Sequence, residues 1–154
     1  MISAKRDEAK ALVAQQPTHA LVAGLAALAA PRDEAETLAR AWIIDALEER
    51  YPLASAAVQS AFDANDAAMI AGEEPTEVDY AAVLLAAVET VTRPVSYASL
   101  NVGRSFHNTH TGENATITGT ANGDVVMELT SGPDAGEFVT LRPDEVCQNW
   151  VNLP

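Results

Sequence analysis

Two histidines three residues apart, His107 and His110, have the one spacing in this sequence that suits a metal ion. On a helix or a tight turn that spacing brings two imidazoles to one ion, and Glu113 adds a carboxylate. The chemistry would be that of a small metal-dependent enzyme. The local pattern argues against it. The pair falls at a strand end and in the polar loop Asn108-Thr109-His110-Thr111-Gly112, where the spacing imposes no common face. A closed site would also need His19 or Cys147 to arrive from elsewhere in the chain.

Carboxylate pairs occur at Glu48-Glu49, Glu73-Glu74 and Asp144-Glu145. General acid–base catalysis needs two carboxylates in different environments, one of them desolvated enough to keep its proton. Neighbours at helix ends and loops are solvated alike, so these read as surface charge. Asp45, after Trp42-Ile43-Ile44, sits at the edge of an apolar face, where a structural ion pair with Arg40 or Arg50 is the common outcome. No G-x-S-x-G elbow, Walker loop or G-x-G-x-x-G fingerprint is present. Cys147 is the only cysteine, which excludes an intrachain disulfide, and it has no neighbouring histidine. The sequence predicts no enzyme and no cofactor.

Charge narrows the partners. The 154 residues carry a net charge of −13. Residues 1–93 contribute 7 basic and 15 acidic side chains, and residues 94–154 contribute 2 and 7. Neither part offers the basic face from which nucleic-acid binding draws its affinity, and both disfavour anionic membranes. The longest apolar run, residues 20–30, is far short of the roughly 20 residues of a spanning helix. The charged start, Lys5-Arg6-Asp7-Glu8, is unlike a signal peptide, so a cytoplasmic setting is expected. A protein partner, basic or itself nucleic-acid-binding, fits this balance.

The elements that must position these residues follow from punctuation and periodicity. Of 30 alanines, 26 precede Pro94, and prolines at 17, 31, 52, 75 and 94 bound five helical segments: 3–15, 18–30, 33–50, 53–71 and 76–92. Thr18 and Asp33 are candidate N-caps, Pro52 suits a first turn, and Thr76 with Asp79 resembles a capping box. The third segment is the most amphipathic: Ala35, Leu38, Ala39, Trp42, Ile43, Ala46 and Leu47 share a stripe, with Glu36, Arg40, Asp45, Glu48 and Glu49 mostly opposite. Met69 joins the stripe expected of the fourth. Alanine buries little area, so the helical core must be thin, and such helices gain by association; a homodimer is one expectation.

Composition shifts after Pro94, where six of the eight glycines lie. The sequence predicts a helical domain over 1–93, a linker over 94–103 and a small β module over 104–154. Its strands are expected at 104–108, 114–121, 124–130, 137–141 and 149–153, with a helical turn at 142–146. Asn122-Gly123 between two alternating runs is the clearest hairpin signal. The fold class is therefore α+β: an N-terminal Ala-rich helical bundle, then an antiparallel module that is either an SH3-like barrel or an open meander. Tyr97, Phe106, Phe138 and Trp150 are the aromatics of that module, with which an SH3-like surface can hold a peptide or stack a base, but Phe106 and Trp150 are expected instead to form its core.

Residues 38–52, Leu-Ala-Arg-Ala-Trp-Ile-Ile-Asp-Ala-Leu-Glu-Glu-Arg-Tyr-Pro, resemble a helix found in uncharacterised small accessory proteins of actinobacterial phages and plasmids. Residues 111–117, Thr-Gly-Glu-Asn-Ala-Thr-Ile, running on through Leu141 and Trp150, are similar to SH3-like modules of such proteins. The resemblance implies a mobile-element setting, in which proteins often bind host or phage proteins, defence systems included. It transfers no activity and no functional residue. The expected function is a non-enzymatic protein-interaction or inhibitor module, with an acidic anti-defence protein as its specific form. Glu36, Asp45, Glu48 and Glu49 are its candidate binding face. A nucleic-acid-associated regulator using the SH3-like module and a small metal enzyme are the alternatives.

Overall fold

The computed structural model describes residues 2–154, and the chain is α+β, in two compact units: residues up to Val88, and Glu89–Pro154. The first is built from α1 (Ile2–Ala14), α2 (Thr18–Ala27), α3 (Glu34–Arg50), α4 (Pro52–Ile70) and the greater part of α5 (Tyr80–Thr92). No helix among the described residues is long and apolar enough to cross a membrane.

Local chemistry sets the helix ends. Asp33 caps α3, its carboxylate accepting from the Glu36 amide at 2.8 Å. Pro52 occupies the first turn of α4, where its missing N–H costs nothing. Two expected caps fall elsewhere. Pro17, not Thr18, is the N-cap of α2; Thr18 is already helical and its hydroxyl lies 2.7 Å from the Tyr51 hydroxyl. Thr76 lies outside α5, its amide taken by Asn65 Oδ1 at 2.9 Å, and Asp79 alone does the capping by accepting from the Ala82 amide at 3.1 Å.

α3 is the hub of the unit, packing on α1, α2 and α4. Ile43, Ala46 and Leu47 from α3 join Leu21 and Leu25 from α2, Ala54 and Val58 from α4, and Ala81, Leu84, Ala87 and Val88 from α5 in one buried cluster. Four alanines in that list let backbones approach closely, as the composition requires. Gly24 does the same: a Cβ there would lie 3.1 Å from Ile43 Cδ1. Met69, expected in the core stripe of α4, is instead exposed beside Ile70, in the last turn of that helix.

In the second unit a 3-10 turn (Tyr97–Ser99) precedes β1 (Ser105–Asn108), β2 (Asn114–Ala121), β3 (Asp124–Leu129), β4 (Phe138–Leu141), α6 (Pro143–Asn149) and β5 (Trp150–Asn152). All pairings are antiparallel, and the strand order is β4-β3-β2-β1-β5. No ladder joins β4 to β5, so the sheet is open. Asn122 and Gly123 both have positive φ, 54° and 84°, as the tight β2–β3 turn demands. β3 alternates strictly, with Val125, Met127 and Leu129 inward. They pack with Phe106, Ala115, Ile117, Val146 and Trp150. Residues 94–103, expected as a linker, bring Val95 and Leu100 onto this cluster, and the Asn152 side-chain amide donates to the Arg93 carbonyl at 2.9 Å.

Leu47 is fully buried at the hub of the helical unit. Leu47→Ala should destabilise that unit by about 2–5 kcal/mol, read as a lower urea midpoint of the helical circular-dichroism signal.

Candidate functional site

The acidic residues of α3 do not form one face. Asp45 lies nine residues beyond Glu36, about two and a half helical turns, and so on the opposite side. Each also has its own partner. Glu36 turns back on the Arg32 guanidinium and accepts the Arg32 amide at 2.8 Å, contacts that hold its carboxyl below the ordinary range. Asp45 pairs with Lys10 of α1 at 2.9 Å, both side chains about half exposed, which makes it a surface tie of small energetic weight. The arginines near Asp45 in sequence do not pair with it: Arg50 donates to the Ala14 carbonyl and to Thr18. Glu48 accepts the Tyr80 hydroxyl. Of the four candidate binding residues, only Glu49 is exposed with no partner among the described residues.

The histidines part in the same way. His107 sits on β1 opposite Asn114, its Nδ1 2.7 Å from the Asn114 amide oxygen. His110 is exposed in the β1–β2 loop, with Nδ1 3.2 Å from Thr109 Oγ1. Among the described residues no group of three His, Cys, Asp or Glu side chains is placed to hold a metal. Cys147 is half-buried on α6, and burial together with the Asp144 carboxylate pushes its thiol up, the opposite of an activated nucleophile.

A concave site does exist in the β unit. A groove of about 450 Å³ has Leu129, Val139, Leu141 and Trp150 among its walls, with Asn108, His110, Glu113, Glu145 and Asn149 supplying its polar groups. Leu129 and Trp150 are buried, and Val139 and Leu141 half-buried. No lysine or arginine lines it.

The walls are fixed by backbone chemistry. Asn108 Oδ1 accepts the amides of His110 at 2.8 Å and Thr111 at 3.1 Å, folding the 108–113 loop on itself. Thr109 then donates from both its amide and its hydroxyl, each at 3.0 Å, to the carbonyl of Asn149 at the end of α6, satisfying an otherwise orphaned helix terminus and tying loop to helix. At the other end of α6, Glu145 accepts the Arg142 amide at 3.0 Å and lies 3.6 Å from the Arg142 guanidinium. Glu113 is seated against Gly132, where a Cβ would stand 3.2 Å from its Cγ. Its carboxylate has no partner among the described residues and is only half exposed.

β4 forms one side of the groove and an edge of the sheet. Leu129 donates to the Glu137 carbonyl at 2.9 Å, and Gly136, at φ 93°, donates to the Leu129 carbonyl at 2.7 Å, so two residues oppose one in a bulge. From there the antiparallel alternation gives the β3 hydrogen bonds to Val139 and Leu141, opposite Met127 and Val125. The amides and carbonyls of Phe138 and Thr140 point away from the sheet. Phe138 is 63% exposed.

Comparison with known families, curated proteins and solved structures finds no match for this chain. Four residues of the groove, His110, Glu113, Glu145 and Trp150, are singled out by type or position in the sequence. Leu129, Val139 and Leu141 read there only as strand residues, because nothing local signals that the sheet stays open beside them.

Two titrations check these environments. Burial, the hydrogen bond to Glu48 and the charges of Glu48 and Asp45 push the Tyr80 phenol up from 10.0 to about 12. The folded-state value is the higher, so its contribution to stability is complete below pH 10 and is lost as pH rises through about 12. An ultraviolet phenolate titration should show this late step, and Glu48→Gln should bring it to lower pH. Alkylation of Cys147 by iodoacetamide at about pH 8 should be slower in the folded chain than in urea.

Proposed function

We propose that this chain is a non-enzymatic protein-interaction module that holds a segment of another protein in the groove of its β unit. The observation that carries this reading is the composition of the groove: apolar walls against an acceptor-rich rim with no lysine or arginine in its lining, where Glu145 is paired with Arg142 at 3.6 Å and Glu113 is the carboxylate left without a partner among the described residues. Such a site suits an apolar side chain flanked by lysine or arginine. The strand order β4-β3-β2-β1-β5 and the single helix between β4 and β5 support reading the unit as an SH3-like fold left open, with the groove in the gap. Nucleic acid is the poorer ligand, because phosphates would face Glu113 and Glu145. The α3 acidic residues support binding less, since three of the four are engaged within the unit.

The test is quantitative affinity capture of the tagged full chain from its host, comparing wild type with Glu113→Lys, Glu145→Lys and, on α3, Glu49→Lys. Reversing either rim charge should reduce a specifically captured protein by about tenfold, with Glu49→Lys unchanged. A partner lost with Glu49→Lys and kept by both groove variants would refute the reading.

A further inference from the structure

The groove lies against β4, an edge strand of the sheet. β4 contributes Val139 and Leu141 to its wall, while the backbone groups of Phe138 and Thr140 face outward. An extended peptide laid antiparallel or parallel to β4 would satisfy those groups and extend the sheet. Successive side chains of such a strand alternate between faces. One set would enter the groove beside Leu129 and Trp150, and the other would lie on the Phe138 side, where that ring is 63% exposed. Residues two apart in the peptide share a face, so an apolar residue in the groove places its neighbour two positions away along the rim that carries Glu113 and Glu145.

We propose, on the basis of the groove reading above, that the occupant is an extended segment of a partner protein that adds to β4 as a sixth strand. The segment carries an apolar residue and a lysine or arginine two positions apart. Main-chain hydrogen bonds to Phe138 and Thr140 provide the register, and the unpartnered Glu113 carboxylate selects the cation. β5 is the weaker host: it has three residues, and the groove takes only Trp150 from it.

The experiment pans random short peptides against the immobilised full chain. Enriched peptides are then synthesised with single N-methyl groups at successive positions, and their affinities are measured for wild type and Thr140→Pro. Proline at an outward-facing amide of an edge strand leaves the β3 ladder intact. The expected result is an apolar-x-basic motif, a loss of about tenfold or more at alternate N-methyl positions, and a similar loss with Thr140→Pro. The N-methyl series keeps the test decisive if Thr140→Pro folds poorly. Peptides that compete at the groove without alternation overturn strand addition while leaving groove binding standing. Enrichment of acidic peptides overturns the charge assignment. No enriched peptide overturns both readings. Sedimentation of the chain as a dimer that Thr140→Pro converts to monomer also overturns the proposal, by assigning the edge to a second copy.

Discussion

An antiparallel sheet that does not close leaves hydrogen-bonding groups along two edges, and the β unit of this chain is organised around that condition. Between β4 and β5 the chain inserts α6, a helix of only seven residues, rather than a ladder. The space so created is apolar because it borders the core: Leu129 and Trp150 belong at once to the buried cluster and to the groove. Filling that space is favourable for any apolar side chain, and the edge beside it can bond a backbone. Natural edges are usually blunted by charge, proline or bulges. Here the bulge at Gly136 lies at the start of β4, and the strand beyond it carries Phe138, Val139, Thr140 and Leu141, none of them charged.

The loop opposite is built to hold its shape. Thr109 joins the 108–113 loop to the last carbonyl of α6, and Asn108 holds the loop's own turn. The lack of a side chain at Gly132 leaves room for Glu113. These contacts fix the shape of the groove in the free chain, and such preorganisation would lower the entropy lost by a segment bound as proposed. The helical unit shows the contrasting use of charge. There Lys10, Arg32 and Tyr80 engage Asp45, Glu36 and Glu48, so acidic side chains serve packing and helix ends.

Much of the fold is legible in the sequence. Prolines and Asp33 mark helices, and the Asn122-Gly123 pair with its flanking alternation gives β2 and β3 almost to the residue. Helix ends are less legible: a capping side chain at Thr18 or Thr76 competes with tertiary partners, Tyr51 for one and Asn65 for the other. The groove is scarcely legible, since Leu129, Val139 and Leu141 have the types expected of core strand residues. Whether such residues end up sealed or bordering a cleft depends on β4 and β5 failing to pair, a non-local fact. Periodicity likewise assigns acidic residues to the polar side of α3 but does not reveal that Lys10, from another helix, will take one of them.

The central claim is that β4 offers an open outer edge beside the groove, and residue-resolved amide hydrogen exchange of the free full chain tests it most directly. The account predicts alternation along the strand: the amides of Val139 and Leu141, bonded to β3, exchange slowly, whereas those of Phe138 and Thr140 exchange near the rate of an unprotected chain. Slow exchange at all four would show the edge already covered and would contradict the account.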